Sequence, residues 1–351
     1  MKGFGIIKIN EPAWLEKERP IAGPLDAIVR PIVVAPCSSD THASHGGSGN
    51  LSNVILGHEA VGEIVEVGSL VTRFKKGDKV VVPCTTPDWM SMGVQGKYNA
   101  HDHAPLGSFK FLTQKDGVFA EFFHVNHADA NLVHLPEGMA PEAALMVVDM
   151  MSTGFHGVEQ AEIGFGDTVA VIGIGPVGLM SIAGSVLRGA GRVIAVGTRP
   201  NCIKIAREYG ATDIVSYKDG DIATQIRELT NGEGVDAVII AGGNAATLNQ
   251  AIAMAKAGGI VSNVNYFDAT EVFSIPAPLW RLGMSNVDIR GGFCPGGARR
   301  MEKLLEVVKN GRVDTTKLIT HTFHGFEKIE EAFHLMDKKP ADLIKPVVFI
   351  D

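Results

Sequence analysis

VAVIGIGPVGLM, residues 169–180, runs from small and β-branched apolar residues directly into Gly173, Gly175 and Gly178, spaced as GxGxxG, and then into a helical pattern. Glycines at that spacing allow a tight turn and close backbone approach. Pro176 and Val177 open a helix whose first N–H groups have no partner within it and face outward to an anion. The stretch predicts a strand, turn and helix that hold the pyrophosphate of a dinucleotide; a glycine-rich turn without a ligand is the plain alternative. Residues 169–187 also lack any charge over about the length of a membrane-spanning helix. Glycine and proline crowd the first half of that segment, which argues against a span and leaves no membrane partner expected.

Outward from this turn, strands and helices alternate. TVAVIG is followed by a helix to about Arg188, RVIAVG by a helix through IAREYG, DIVSY by a helix near IATQIRELT, and VDAVIIAGG by a helix along LNQAIAMAKAGG; GIVSNVNYF and VDIRGGF complete the series. Such alternation predicts a doubly wound parallel sheet over residues 151–295. The second strand ends Val196, Gly197, Thr198, Arg199, without the acid that normally holds the ribose 2′-OH of NAD. A small hydroxyl and an arginine suit a 2′-phosphate instead, and Tyr217 at the end of the next strand is placed to pack on adenine. NADP(H) is the expected cofactor, against the alternative of Arg199 as a solvated loop charge.

Before this region, AIVRPIVVAP and KVVVP read as short strands among Gly/Pro turns. After it come the helix MEKLLEVVKNG, the strand KLITHTF, and a helix placing Ile329, Ala332, Phe333 and Met336 at i, i+3, i+4 and i+7. The closing strand LIKPVVFI needs a partner. It is read as completing the first, strand-rich domain, which then comprises 1–150 with 296–351.

The composition, 351 residues with 45% hydrophobic and a net charge of -7, describes a globular protein of about two domains and argues against a broad nucleic-acid surface. MKGFGIIKINEPAW holds too short an apolar stretch for a secretory signal, so a cytoplasmic location is expected. Cys37, Cys84, Cys202 and Cys294 lie far apart, with no CxxC; neither a disulfide framework nor a self-contained four-cysteine metal module is indicated.

Individual residues carry the remaining chemistry. In GHEAVGEIVEVGSLV, residues 57–71, His58 and Glu59 stand side by side where a strand begins. Both side chains are suitable metal ligands, although a lone histidine is more often structural. Asp149, in the apolar run ALMVVDMM, is either a helix N-cap or a carboxylate held by a metal. Cys37, in VAPCSSD, is either a buried apolar residue or a thiolate ligand.

Gly57, His58, Glu59, Gly62, Gly68 and Val71 match the zinc-site pattern of the medium-chain, zinc-containing alcohol dehydrogenases. Together with MKGF, DAIVRP, APCSSD, DGVFAEFFHVN, TGFHG, RGAGRVIAVG, YGATDIV, IAGGN, VNYF, CPGG and DLIKPVV, they make the chain resemble, over essentially its whole length, the NADP-dependent secondary alcohol (isopropanol) dehydrogenases of that family. The resemblance implies an α/β protein: a GroES-like β-rich catalytic domain plus a Rossmann domain. It further implies a catalytic zinc on Cys37, His58 and Asp149, with Glu59 as neighbour or transient fourth ligand. By the same resemblance Ser39 shares the substrate hydroxyl proton and His42 passes it on. Ser38 and Thr153 line the nicotinamide side. Gly173, Gly175, Pro176, Val177, Gly178, Asn265 and Tyr266 bind cofactor, Gly197, Thr198, Arg199 and Tyr217 select NADP, and Lys339 adds a charge near the phosphates unless it forms a solvated pair with Lys338. Small secondary alcohols and ketones are the implied substrates, with some primary alcohols and aldehydes, and the implied assembly is a homotetramer.

The chain departs from that pattern in places. Many relatives hold a structural zinc with four cysteines in a lobe that falls here between about residues 84 and 110, where only Cys84 stands. One catalytic zinc and no structural zinc are expected, with His101, Asp102 and His103 read as an exposed polar loop. Phe109 and Phe293 replace the Trp and Leu of that group at positions expected to face the substrate, Cys84 replaces Ala, and the loop HASHGGSGNLSN, with His45 exposed, is unusually Gly-rich. Two readings compete with this: an NAD-dependent polyol or threonine dehydrogenase, opposed by the missing acid before Arg199, and a zinc-free reductase or catalytically silent NADP-binding protein, opposed by the presence of Cys37, His58 and Asp149.

Overall fold

The computed structural model describes every residue except Lys97, Ala269 and Asp351. It is an α/β chain that divides into two compact units, residues 153–293 and residues 1–152 with 294–351.

In the central unit six strands pair in parallel, in the spatial order Asp213–Val215, Arg192–Val196, Thr168–Ile172, Val235–Ile240, Ala255–Asn263 and Asp288–Gly291. Numbered along the chain within the sheet, the order is 3-2-1-4-5-6, that of the dinucleotide-binding doubly wound fold. The charge-free stretch is the strand Thr168–Ile172 followed by the helix Pro176–Arg188. Among the described residues no helix is long and apolar enough to cross a membrane. One boundary differs from the periodicity: the helix Ala245–Met254 stops before AKAGG, which instead begins the strand Ala255–Asn263. Gly258, at φ +77°, and Gly259 are poor helix formers, and the register shift between Val235 and Ala237 accommodates them as a bulge. At the sheet edge Arg192 grips Asp213 with a two-pronged contact, Nε to Oδ2 at 2.8 Å and Nη2 to Oδ1 at 2.9 Å.

The other unit is built mainly on a sheet that joins both ends of the chain. Ile319–His324, Lys345–Phe349, Ala27–Val34, Ala60–Val67, Lys79–Val82 and Val133–His134 follow one another in space, and Phe123–Val125 also pairs with Ala27–Val34. The closing strand meets its partner at Val348↔Val34 and Phe349↔Val33. Its apolar core gathers Phe4, Phe111, Phe119, Phe123 and Phe333. The helix Lys328–Lys338 buries Ile329, Ala332, Phe333 and Met336 on one face. Ile329, Phe333 and Met336 each contribute about 1.5–3 kcal/mol through burial, so the sheet and this helix form a firm base for the loops they carry.

Candidate metal centre and dinucleotide turn

The strand Ala27–Val34 delivers Cys37 to the start of the short helix Ser38–Ser44. Gly57, His58 and Glu59 enter the strand Ala60–Val67 beside it. Gly57 has φ +92°, and a Cβ there would stand 2.4 Å from the Phe119 ring, so the approach to His58 requires glycine. Asp149 comes from a π-helical turn, Val147–Met151, wedged between two α-helical segments. It lies inside the helical segment, and the N-cap alternative is thereby removed. Such turns rearrange local backbone pairing and are frequent at functional sites.

These elements bring together one ligand atom each from Cys37, His58, Glu59 and Asp149, all within 4.8 Å of one another. The Cys37 Sγ is 3.7 Å from Asp149 Oδ2, and His58 Nε2 is 3.6 Å from that same oxygen. His58 and Glu59 are buried, at 1% and 0% exposure. Burial lowers the affinity of His58 for a proton, but Asp40, Asp149 and Cys37 outweigh it, leaving its pKa well above the ordinary value. The surroundings therefore favour positive charge at this point. Glu59 Oε2 is buried without a hydrogen-bond partner among the described residues. An orphaned carboxylate oxygen beside a thiol, an imidazole and a second carboxylate is a donor set that fits Zn²⁺.

Two supporting residues escaped the sequence reading. Asp40 accepts from the backbone N–H of Cys37 at 2.9 Å and of Gly57 at 3.0 Å, and its Oδ1 lies 3.0 Å from His58 Nδ1. This fixes the ring with Nε2 toward the cluster, as a carboxylate commonly does behind a metal-binding histidine. Its place three residues after Cys37, in CSSD, was the available signal. Lys345 is fully buried and donates to Glu59 Oε1 at 2.6 Å. Burial and neighbouring Asp149 push Glu59 up to about 7 despite the opposing Lys345. Burial lowers the Lys345 pKa, but Glu59, Cys37 and Asp149 more than compensate and hold the side chain as an ammonium. A lysine inside the apolar strand LIKPVVFI was the corresponding clue.

Ser39 Oγ is 3.2 Å from His58 Nε2, at the edge of the cluster. His42 closes the same helix with its ring packed over Gly47, where a Cβ would come within 2.1 Å of Nε2. Phe109 meets His58 edge-on, with ring centroids 5.1 Å apart. Cys84 Sγ is 3.9 Å from Asp149 Oδ1 and 3.5 Å from Cys294 Sγ. Ser38 begins the helix Ser38–Ser44, and Lys339 is exposed at the end of Lys328–Lys338 with φ +45°.

The predicted polar loop is partly buried. Asp102 is 1% exposed and paired with Lys110 at 2.9 Å, because Asp88 N–H and Lys110 satisfy its charge; His103, on the surface, pairs with Asp88 at 2.7 Å. His101 accepts from the Leu106 N–H. His45 is exposed and bridges Asn10 and Asp337. A surface hollow of about 710 Å³ lined by Met90, Met92, His101 and Pro105 shares no residue with the ligand cluster.

In the central unit, Gly173 adopts φ +85°, and a Cβ on it would lie 2.8 Å from the backbone of Gly242. A Cβ on Gly178 would meet the Gly173 carbonyl at 1.9 Å, so the helix can sit this tightly against the turn only with glycine. Gly175 caps the helix, with Pro176 and Val177 in its first turn. The Arg199 guanidinium stands beside Gly175, 3.7 Å from where a Cβ would project. Gly197 packs on Ile174, so Gly197 and Arg199 border the turn, and Thr198 Oγ1 donates to Tyr217 Oη at 2.8 Å. Asn265 donates to the Gly243 carbonyl at 3.3 Å, Tyr266 is half exposed, Thr153 is buried and Phe293 is partly buried.

The family profile "alcohol dehydrogenase GroES-like domain" matches residues 23–137, and "zinc-binding dehydrogenase" matches 176–310. The chain is 58% identical to an NADP-dependent isopropanol dehydrogenase of Thermoanaerobacter brockii and 56% identical to one of Clostridium beijerinckii, covering all of both chains in each case. Among solved structures, the zinc-dependent alcohol dehydrogenase 2 of Streptococcus pneumonia in its apo form superposes with a TM-score of 0.90 at 30% identity, over 100% of this chain and 99% of that one. With these relatives, the GroES-like and zinc-binding profiles and the 3-2-1-4-5-6 sheet, the chain belongs to the zinc-containing medium-chain alcohol dehydrogenases.

Proposed function

We propose that the chain is a zinc-dependent oxidoreductase interconverting small secondary alcohols and ketones with NADP(H), and some primary alcohols and aldehydes, with Cys37, His58 and Asp149 as the protein ligands of its catalytic zinc. The observation that carries this reading is the convergence of those three side chains with Glu59, whose Oε2 is buried without a partner. The similarity to NADP-dependent isopropanol dehydrogenases supports the substrate class and the cofactor.

When bound, zinc supplies a Lewis acid that polarises a carbonyl oxygen, and the dinucleotide supplies or accepts the hydride at the carbinol carbon. The residues of the chain do the rest. Asp40 holds the His58 ring by Nδ1, keeping Nε2 turned toward the donor cluster that would hold the zinc. Lys345 neutralises Glu59 through Oε1 and leaves Oε2 as a neighbouring or transient fourth donor. Ser39, whose Oγ already borders His58 Nε2, holds the substrate hydroxyl proton, and His42 on the same helix passes it toward solvent. Cys84 and Phe109 border the cluster and limit the size of the substrate that enters. Phe293 is assigned to the same limit by its place in the sequence. Ser38 and Thr153 receive the nicotinamide.

Gly173, Gly175, Pro176, Val177 and Gly178 receive the pyrophosphate, and Asn265 and Tyr266 extend that cofactor surface. Gly197, Thr198, Arg199 and Tyr217 select the 2′-phosphate, with Lys339 as an added charge near the phosphates. A cytoplasmic homotetramer is the assembly this reading carries, in line with the resemblance to secondary alcohol dehydrogenases. The test is removal of metal by a chelator, then zinc add-back, with a panel of short ketones and aldehydes against NADPH and NADH. Activity is expected to vanish, return with zinc, and favour ketones with NADPH. Activity indifferent to the metal would sink the mechanism.

A further inference from the structure

Asp149 points its two carboxylate oxygens in different directions. Oδ2 faces Cys37 and His58, whereas Oδ1 is 3.9 Å from the Sγ of Cys84. Cys84 Sγ in turn lies 3.5 Å from Cys294 Sγ, and one donor atom each of Cys84, Cys294 and Asp149 falls within 4.8 Å of the other two. Cys84 is 1% and Cys294 0% exposed. With metal–sulfur bonds of about 2.3 Å and metal–oxygen bonds of about 2.0–2.2 Å, a tetrahedral ion spaces its donor atoms roughly 3.5–3.8 Å apart. The 3.5 Å between the two sulfurs lies at the lower end of that range and the 3.9 Å from Cys84 Sγ to Asp149 Oδ1 just beyond its upper end. Nothing in the catalytic reading uses the paired thiols as ligands.

We infer that Cys84, Cys294 and Asp149 Oδ1 form a second site for a thiophilic divalent cation such as Zn²⁺ or Cd²⁺, joined to the first through the Asp149 carboxylate. The sulfur pair sets the preference, because thiolates favour soft and borderline ions over Mg²⁺ or Ca²⁺. Binding exchanges the two thiol protons for the cation and releases them to solvent, so charge and atoms balance without an oxidant. An ion seated there draws on the same carboxylate that the first ion needs, which couples occupancy of the two sites.

The experiment uses the full chain loaded with one equivalent of zinc and titrated with Cd²⁺. Bound metal is counted after gel filtration, and thiolate-to-cadmium absorption is recorded in the ultraviolet. The wild-type chain is expected to take up a further equivalent with a thiolate band, and Cys84→Ala and Cys294→Ala each to lose that equivalent while keeping the first. Cys37→Ala is expected to lose the first and keep the second, which separates failure of this inference from failure of the catalytic reading. X-ray absorption on the wild-type chain loaded with both metals guards against a variant that does not fold. The zinc edge should report one sulfur, from Cys37, and the cadmium edge two, from Cys84 and Cys294. Saturation at a single equivalent, a second equivalent that survives loss of either cysteine, or fewer than two sulfurs at cadmium would overturn the assignment.

Discussion

Replacing Lys345 by Met removes the ammonium and keeps the apolar stem that packs within the closing strand. Glu59 then remains fully buried with Oε1 as well as Oε2 unpaired, since the 2.6 Å contact from Lys345 is lost. Glu59, already pushed up to about 7 with Lys345 beside it, is driven further up and takes a proton, so the variant buries a neutral acid whose unmade hydrogen bonds cost about 1–3 kcal/mol. In a folding unit of roughly 200 residues each kcal/mol lowers Tm by about 2–4 °C, so Lys345→Met should lower it by roughly 2–12 °C. The assay is thermal unfolding of the zinc-free chain followed by circular dichroism, so that changes in metal binding do not enter the result. Glu59→Met added to Lys345→Met removes the unpaired polar group and should recover at least about half of the loss, a coupling that separates the pair from simple packing. A drop below about 2 °C for Lys345→Met, or a double variant no more stable than the single one, would refute the reasoning.

Arg199→Ala should weaken NADPH binding roughly 10- to 150-fold, the worth of about 1.5–3 kcal/mol for hydrogen bonds to a charged group, while NADH binding changes little; equal losses by fluorescence titration contradict the phosphate role. Asp40→Asn weakens the acceptor behind His58 and should lower zinc affinity about 10- to 100-fold in chelator competition, and an unchanged affinity would show that the ring is held by something else. Asp213 has its pKa lowered below 3.8, first by hydrogen bonding from Arg192. A depressed carboxylate stabilises the fold above its unfolded pKa and loses that effect as pH falls through its folded value. Asp213→Asn should therefore lower Tm at neutral pH, and the gap to the wild-type chain should close only below about pH 4; a constant gap down to pH 2 removes Asp213 as the source.

The central unit was legible in the sequence because its glycines and strands obey local rules. Gly173 and Gly178 are required by close backbone contacts at the turn, and the alternation of strands and helices gives a parallel sheet, though not its strand order. Where local rules compete, the reading failed: AKAGG continued a helical pattern, but paired glycines in a bulge turned it into strand. The metal cluster was legible as candidates and undecidable as an arrangement. Nothing within ALMVVDMM distinguishes a capping aspartate from one presented by a π turn, because that turn depends on how the flanking helices pack. Asp40 acts across the gap to His58 and Lys345 across most of the chain, and such partnerships leave no periodic trace.

The Glu59–Lys345 pair also orders events during synthesis. The partners are 286 positions apart, so at about 5–20 residues per second the carboxylate leaves the ribosome roughly 15–60 s before its counter-ion exists. Over that interval the nascent amino-terminal strands would close around a Glu59 carboxyl with neither oxygen paired, and the central unit, whose strands are all contiguous, has time to fold first. A nascent chain halted before residue 345 should therefore hold its central sheet folded while the segment around Glu59 is still open to protease.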